Sequence, residues 1–398
     1  MPFSEKESSN QDQEQAVYDA SILEEADMIL GALNKNLEGP ALNVSKELAK
    51  SLQRLESLYE QVGLSPAERQ APEAVNEVRF WFNKEYEKQW HVLNDVGILK
   101  TLESGRFGIE GIDGAEYPVP SQEELGILLE QNRGLIEKKK EQGFTKMLLV
   151  PFGSSLDALA KTYGQRIVEH FKQGTLKDSQ GKLITNLAKK SEGSSARNDA
   201  TGDNEYYPLW KWDKYQGADE TGALVYHPKQ FDQTNHGGKT KNQIITSEGA
   251  WTVIFTEATP NIPRENPEIQ GGRIQLDSNG SSIREYIEGG EDFPSPREYK
   301  EALEKGEMYQ GESGMTPEEW IMAAITRLEE TGEVMGDYQN DAKDKIDYLI
   351  EAYFPASDLV PSACWIRDSR QAYLSRRDVG RRLDHCGVRP TVRIKKKP

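Results

Sequence analysis

The sequence predicts an α+β fold in which a helical N-terminal region is followed by a mixed C-terminal domain. Apolar residues recur at helical spacing through much of residues 15–190. After residue 206 the pattern changes to short β-like runs among many aromatic, glycine and proline residues. Between these regions, residues 191–205 carry no apolar side chain larger than alanine, which indicates a linker or loop that cannot contribute to a core. The predicted division is a disordered tail at 1–14, a helical domain at 15–190, the linker at 191–205 and a mixed α+β domain at 206–398.

The N-terminal elements follow from periodicity and from helix-start and helix-stop residues. Two helices are predicted between about 15 and 60, separated by Gly39-Pro40, and a third is predicted over 71–99. Glycine enrichment predicts a loop over 105–120. Ser121 with Glu124 three residues later predicts a capping box, which opens a helix to about residue 142.

The remaining elements are predicted in the same way. Residues 146–150 form a short apolar run typical of a strand, and 154–172 form a helix that a serine caps. Thr316-Pro317 followed by two glutamates predicts a helix start, with a stop at Gly332. A further helix is expected over 340–353. Alternation over 387–394 predicts a strand that lies at a sheet edge or begins at Pro390, because proline has no N–H to donate.

The distribution of charge along the chain limits which classes of partner the protein could bind. The chain has a net charge of −17, yet residues 370–398 contain ten arginines or lysines against two aspartates. An acidic body argues against general nucleic-acid binding, whereas the basic end could contact an acidic partner or the body of another copy, so a homo-oligomer stays open. There is no charged-then-apolar leader and no apolar run of 18 residues. We therefore expect a cytoplasmic protein without membrane insertion.

Catalytic motifs are absent from the sequence. None of the five histidines has a neighbour at metal-ligand spacing, and no phosphate-binding or nucleophile motif is present. The prediction is therefore a protein that is not an enzyme, with no catalytic residue, no metal site and no cofactor. One alternative stays open, because Cys364 and Cys386 could bind a soft metal such as copper.

One segment has an unusual composition. Residues 372–394 contain no Lys, Glu, Gln, Met or Trp, although the chain is rich in lysine and glutamate. These five are the residues that cannot arise when only the adenines of an asparagine codon, AAC or AAT, are replaced. Eleven residues near this segment belong to the permitted set: Ile366, Tyr373, Ser375, Arg377, Asp378, Gly380, Arg381, Leu383, Asp384, His385 and Cys386. The alternative is a chance composition in an arginine-rich strand region.

Several motifs carry a specific resemblance. Trp365-Ile-Arg-Asp-Ser-Arg-Gln-Ala-Tyr-Leu-Ser-Arg, followed by Gly387-Val-Arg-Pro-Thr-Val-Arg-Ile, resembles the variable region of target proteins of diversity-generating retroelements, most closely those of candidate-phyla bacteria. Gly314-Met-Thr-Pro-Glu-Glu-Trp and Ala352-Tyr-Phe-Pro-Ala-Ser are also similar to those proteins. The matching part covers about the last 90 residues.

The resemblance implies a C-type-lectin-like fold, of the subtype found in formylglycine-generating enzymes, and a non-enzymatic binding function. In that family a reverse transcriptase copies a template with errors at adenines and rewrites the variable region, here about 365–390. The eleven residues would then contact a macromolecular ligand, expected to be a protein. The alternatives are a formylglycine-generating type of oxidase on the same scaffold and an arginine-rich nucleic-acid-binding module.

Such a display requires a fixed frame, because core substitutions cost several kcal/mol whereas most surface substitutions cost roughly 0.5 kcal/mol or less. Arg367 and Arg389 are expected to pair with aspartates or backbone and to hold the loops. The apolar residues expected to be buried in that frame are Trp365, Ala372, Leu374, Val379, Val388, Val392 and Ile394.

Overall fold

A computed structural model describes residues 66–190, 201, 203–258, 294–305, 309–338, 346–383 and 385–395, with side chains from residue 81 onward. The chain divides into two compact units, residues 1–81 and 82–398, and the account below concerns the second. The predicted tail, the first two predicted helices and most of the predicted linker lie outside the described residues. Among the described residues, no helix is long and apolar enough to cross a bilayer.

The described helices are α1 (Pro66–Asp95), α2 (Gln122–Gln131), α3 (Arg133–Glu141), α4 (Leu156–Gln173), α5 (Ala218–Thr221), α6 (Lys241–Glu248), α7 (Pro296–Lys305) and α8 (Pro317–Thr331). The strands are β1 (Lys100–Thr101), β2 (Phe107–Glu110), β3 (Glu116–Pro118), β4 (Lys146–Val150), β5 (Leu209–Lys211), β6 (Val225–Tyr226), β7 (Thr252–Thr256), β8 (Glu312–Ser313), β9 (Asp337–Tyr338), β10 (Ile346–Tyr348), β11 (Ala352–Tyr353), β12 (Leu359–Ile366), β13 (Gln371–Asp378), β14 (Cys386–Gly387) and β15 (Thr391–Ile394). The prediction of an α+β fold is confirmed.

Two sheets organise this unit. One has the order β4-β7-β15-β8, and the other has the order β14-β10-β12-β13-β5, with β9 paired to β12. Helix α8 contacts β4 of the first sheet and β12 of the second. Both its apolar face and the first turn at Glu318 and Glu319 are buried. The core of the unit therefore surrounds this helix.

The ends of α8 were predictable because local groups determine them. The Thr316 side chain accepts from the Glu319 N–H, and the Glu319 side chain accepts from the Thr316 N–H, which completes a capping box. Gly332 then ends the helix at φ 76°, in the left-handed region that glycine adopts without steric cost. The same capping box is confirmed at Ser121 and Glu124.

The domain division differs from the prediction. Strand β4, which belongs to the region predicted as a separate helical domain, pairs along its length with β7, and β7 pairs with β15 at the C-terminus. The boundary between compact units lies at residues 81 and 82, not at 191–205. Backbone pairing between distant segments determines where the boundary between units lies. The change in composition at 191–205 does not reveal that pairing.

Three further expectations are corrected. Residues 105–120 contain β2 and β3, which pair with each other in a three-stranded sheet. The helix predicted over 121–142 breaks at Asn132 into α2 and α3. The helix predicted over 340–353 is absent from its described part, 346–353, which forms β10 and β11. Strand β15 begins directly after Pro390, as predicted, and it lies between β7 and β8.

Candidate functional site

The predicted variable residues centre on the hairpin formed by β12 and β13. The two strands pair antiparallel from Leu359 opposite Asp378 to Ile366 opposite Gln371. Successive side chains of a strand point to opposite faces of the sheet. Along β13 the buried Ala372 and Leu374 therefore point to one face, and the partly exposed Tyr373 points to the other.

A row of opposed residues crosses the second sheet through Tyr373. Tyr373 lies opposite Trp210 on β5 and opposite Cys364 on β12. The register of β10 places Ile346 next to Cys364 and opposite Cys386 on β14. Opposed residues lie on the same face of the sheet. Along this row, Trp210 and Tyr373 are partly exposed, whereas Cys386 is buried in the interior.

Aromatic rings form the outer part of this face. The rings of Trp210 and Tyr373 have centroids 5.2 Å apart, and those of Tyr338 and His385 have centroids 5.3 Å apart. Tyr338 lies opposite Ile366. Tyr338, Ile366, Tyr373 and Leu383 are partly buried and pack against the core beneath them. This set, together with Trp210, Ser375, Arg377 and His385, is named the hairpin face below.

Polar residues occupy the end of the hairpin. Asp378 accepts a hydrogen bond from the Gly380 N–H at 2.9 Å, which fixes the turn after β13. The Arg376 guanidinium lies 5.0 Å from the centre of the Trp212 ring, a cation–π contact. Arg377 donates to the Arg376 carbonyl oxygen at 2.8 Å. Within the described residues, the guanidinium groups of Arg376, Arg377 and Arg381 form no ion pair, so their charges are available to an acidic partner.

Ten of the eleven predicted ligand-binding residues are described, and they fall into three groups by exposure. Asp378, Gly380 and Arg381 are exposed. Partial exposure is shared by Ile366, Tyr373, Ser375, Arg377, Leu383 and His385. Cys386 is buried, and Asp384 lies outside the described residues. Nine of the ten therefore retain some contact with solvent.

Cys386 corrects the predicted set. Its side chain is fully buried in the core cluster, where β14 pairs with Ile346 on β10. A ligand that contacts the hairpin face therefore does not reach it. The sequence could not show this, because the pairing joins segments that are distant in the chain.

The expected frame of the site is confirmed. All seven apolar residues expected to be buried are buried. Arg367, at the turn between β12 and β13, donates from Nε to Asp337 Oδ1 at 2.8 Å and from Nη2 to Asp337 Oδ2 at 2.5 Å. The Ser179 N–H and hydroxyl donate to the same carboxylate at 3.0 Å. These bonds hold the hairpin turn against two other segments of the chain.

Arg389 and Asp347 occupy the buried side of the frame. Arg389 Nε lies 4.0 Å from Asp347 Oδ2, and both side chains are buried. The Trp320 indole donates to the same Asp347 oxygen at 2.7 Å. Removal from water outweighs these two interactions and raises the pKa of Asp347 to about 6. This is the second arginine that was expected to pair with an aspartate.

The two cysteines do not form a shared metal site in this geometry. Strand β10 separates β12 from β14, so Cys364 and Cys386 lie two strand spacings apart, roughly 10 Å. That separation is too large for a disulfide, which needs Cα atoms within about 7 Å, and neither cysteine is in a disulfide. Burial raises the pKa of the Cys364 thiol. Among the described residues no group of three or more histidine, cysteine or acidic side chains is arranged to hold a metal ion.

Sequence reasoning missed two residues of the hairpin face, Trp210 and Tyr338, and the contact pair of Trp212 and Arg376 near it. The only signal in the sequence was the run Leu209-Trp-Lys-Trp, which predicts a strand without indicating its partner.

Comparison of the chain with protein-family models, curated proteins and solved structures gives no match.

Proposed function

We propose that this chain is a non-enzymatic ligand-binding protein whose hairpin face is diversified by adenine-directed retrohoming on a C-type-lectin-like scaffold. The ligand is a macromolecule, and we expect a protein. The observation that carries the proposal is the alternation along β13. Tyr373, Ser375 and Arg377 belong to the set reachable from asparagine codons and keep contact with solvent, whereas Ala372 and Leu374, on either side of Tyr373, are buried.

The energetic consequence of this alternation supports the proposal. Replacing an exposed side chain such as Arg381 changes the free energy of unfolding by roughly 0.5 kcal/mol or less. Truncating a buried residue such as Leu374 costs about 2–5 kcal/mol, a large share of the stability of a typical domain. A mechanism that rewrites only the solvent-contacting positions therefore produces many different surfaces on one fold.

The chemistry of the hairpin face suits a protein ligand. Tyrosine, tryptophan and arginine dominate the binding energy of protein interfaces, and Tyr373, Trp210 and Arg377 supply all three. An open strand surface of this kind matches a protein epitope of roughly 800 Å² per partner better than an enclosed small-molecule site. The arginines without ion pairs add a preference for an acidic epitope, which would raise the association rate.

A pair of matched libraries tests the display directly and needs no known ligand. In the first library, Tyr373, Ser375, Arg377, Asp378 and Arg381 are replaced by codons with any first and second base and a pyrimidine third base. The second library applies the same codons to Ala372, Leu374, Val379 and Val388, which are buried. Both are displayed on yeast and scored by resistance to trypsin relative to expression.

We expect most members of the first library and few of the second to resist trypsin as the native chain does. Equal losses in the two libraries would contradict the display.

The diversification itself is tested by the flanking DNA, which should contain a near-copy of codons 365–390 with adenines at the varied positions beside a reverse transcriptase gene. If the first library is stable but the DNA contains no such copy, the proposed binding surface stands and the proposed retrohoming is wrong.

The two alternatives have tests of their own. Copper bound by Cys364 and Cys386 would appear in metal analysis of the native protein and disappear in Cys386→Ser, although the register of β10 between them disfavours this. Nucleic-acid binding by the arginine-rich end would show a steep salt dependence with duplex DNA or RNA as the probe. The net charge of −17 opposes it.

A further inference from the structure

A cavity lies beside α8, away from the hairpin face. It has a volume of about 70 Å³, several times the roughly 10–15 Å³ that one water needs on the same measure. The cavity is lined by residues of β4, of the end of β7, of α8 and of the chain before β9 and β15. The lining residues are Lys146, Leu148, Thr256, Glu257, Ala258, Ala323, Thr326, Arg327, Glu330, Met335 and Arg389.

Three cationic side chains and two carboxylates are part of this lining. Lys146 pairs with Glu330 across the cavity edge. Arg327 pairs through Nη2 with Glu333, outside the lining, and donates through Nη1 to the Ala258 carbonyl oxygen at 3.2 Å. Arg389 contributes a third cation that is 2% exposed. Arg389 lies 4.0 Å from Asp347, so each of the three cations has a carboxylate neighbour, and the buried Glu257 is the second carboxylate of the described lining.

Three donor atoms of the lining have no hydrogen-bond partner among the described residues. They are Thr256 Oγ1, Thr326 Oγ1 and Arg327 Nε. The two threonines are 3% and 1% exposed. An unpartnered buried polar group costs stability, so nearly all such groups in native proteins bond to protein, to ordered water or to a ligand.

We infer that this cavity binds a small oxyanion, either a carboxylate or inorganic phosphate. Two hydroxyls and one guanidinium N–H are three donors, and an oxyanion supplies several acceptor oxygens with the complementary charge. The volume accommodates a group of a few heavy atoms. None of the ten predicted variable residues that the structure describes lines the cavity, so this inference is independent of the proposed function and would hold for every variant of the hairpin face.

The test measures the thermal midpoint of the full chain against increasing phosphate, acetate or chloride at constant ionic strength. We expect a saturable rise with phosphate or with acetate that chloride does not give, because a ligand bound only to the native state shifts unfolding by mass action. The anion whose effect on the thermal midpoint saturates at the lower concentration is the one that the cavity prefers. Isothermal titration then gives the dissociation constant.

The double variant Thr256→Val, Thr326→Val removes both hydroxyls and preserves side-chain shape. Without anion it should unfold at the native midpoint or slightly above it, because two unpartnered hydroxyls are gone. Its affinity for the anion should fall at least tenfold, as expected for the loss of charge-assisted hydrogen bonds. Thr246→Val, at an exposed threonine of α6, is the control and should behave as the native chain does.

Two results would overturn the inference. One is a midpoint that responds to phosphate and acetate only as it responds to chloride, which would mean that water alone fills the cavity. The other is an anion-specific rise that the double variant retains in full, which would place the binding elsewhere. Circular dichroism of the double variant establishes that it is folded, and Arg327→Gln, which removes the cation, should weaken binding if the double variant proves unstable.

Discussion

The Arg367 guanidinium donates two hydrogen bonds to the buried carboxylate of Asp337, and it thereby fixes the turn between β12 and β13. Asp337 is 0% exposed, whereas the Arg367 side chain is 28% exposed. A charged pair of this kind connects the hairpin to the interior. It explains how the solvent-contacting side chains of the hairpin can rest on a fixed frame.

We expect Arg367→Ala to lower the free energy of unfolding by about 2 kcal/mol, because it leaves a buried carboxylate with fewer donors. The loss should be smaller than for a fully orphaned charge, since the Ser179 N–H and hydroxyl still donate to Asp337. Urea denaturation measures it. Arg381→Ala, at an exposed arginine just after β13, is the matched control and should change stability by roughly 0.5 kcal/mol or less. Similar values for the two variants would mean that the pair does not hold the turn.

Asp347 makes stability depend on pH in a definite direction. Its pKa is raised to about 6 from the ordinary value of 3.8, so between these values the native state holds a proton that the unfolded state has lost. The stability that comes from this proton is fully present below about pH 4 and is lost as pH rises to about 6. Asp347→Asn keeps an amide that can accept from Trp320 and removes the titration.

The measurement is the difference in free energy of unfolding between the native chain and Asp347→Asn, taken from pH 3.5 to 7. We expect that difference to move against the native chain by about 3 kcal/mol over this range, at 1.36 kcal/mol per pKa unit. Glu351, whose pKa is lowered to about 2, chiefly by its bond to His227, acts with the opposite sign. Its contribution is lost as pH falls through its folded pKa, and it cancels in the difference. A constant difference would show that Asp347 is ionised throughout.

The hairpin should show three levels of tolerance at neighbouring positions. Leu374→Ala should cost about 2–5 kcal/mol, because the side chain is 0% exposed. Tyr373→Ala should cost about 1 kcal/mol, because the ring is partly buried and pairs with Trp210. Arg381→Ala should be neutral within roughly 0.5 kcal/mol. Chemical denaturation ranks the three variants, and a cost for Arg381→Ala as large as that for Leu374→Ala would count against the display.

The thiols of Cys364 and Cys386 should be unreactive in the native protein. Both are buried, and burial raises the pKa of the Cys364 thiol, so little nucleophilic thiolate forms at neutral pH. An aromatic disulfide reagent should therefore modify neither cysteine in buffer and both in denaturant. Rapid native modification of Cys386 would place it on the surface and restore it to the ligand-binding set.

Local chemistry in the sequence determined a large part of this fold. The capping boxes at Ser121 and Thr316, the glycine stop at residue 332 and the start of β15 after Pro390 depend only on neighbouring residues. The alternation along β13 is likewise local, because a strand repeats every two residues. For this reason the buried frame and most of the solvent-contacting positions were predictable.

The tertiary structure alone decided which distant segments pair. Trp210 joins the hairpin face because β5 lies beside β13, and Cys386 leaves it because β14 pairs with β10. The same kind of pairing made residues 346–353 strands in spite of a helical pattern, and it joined β4 to the C-terminal sheet. Backbone hydrogen bonds between strands far apart in the chain are non-local, so composition and periodicity carry no record of them.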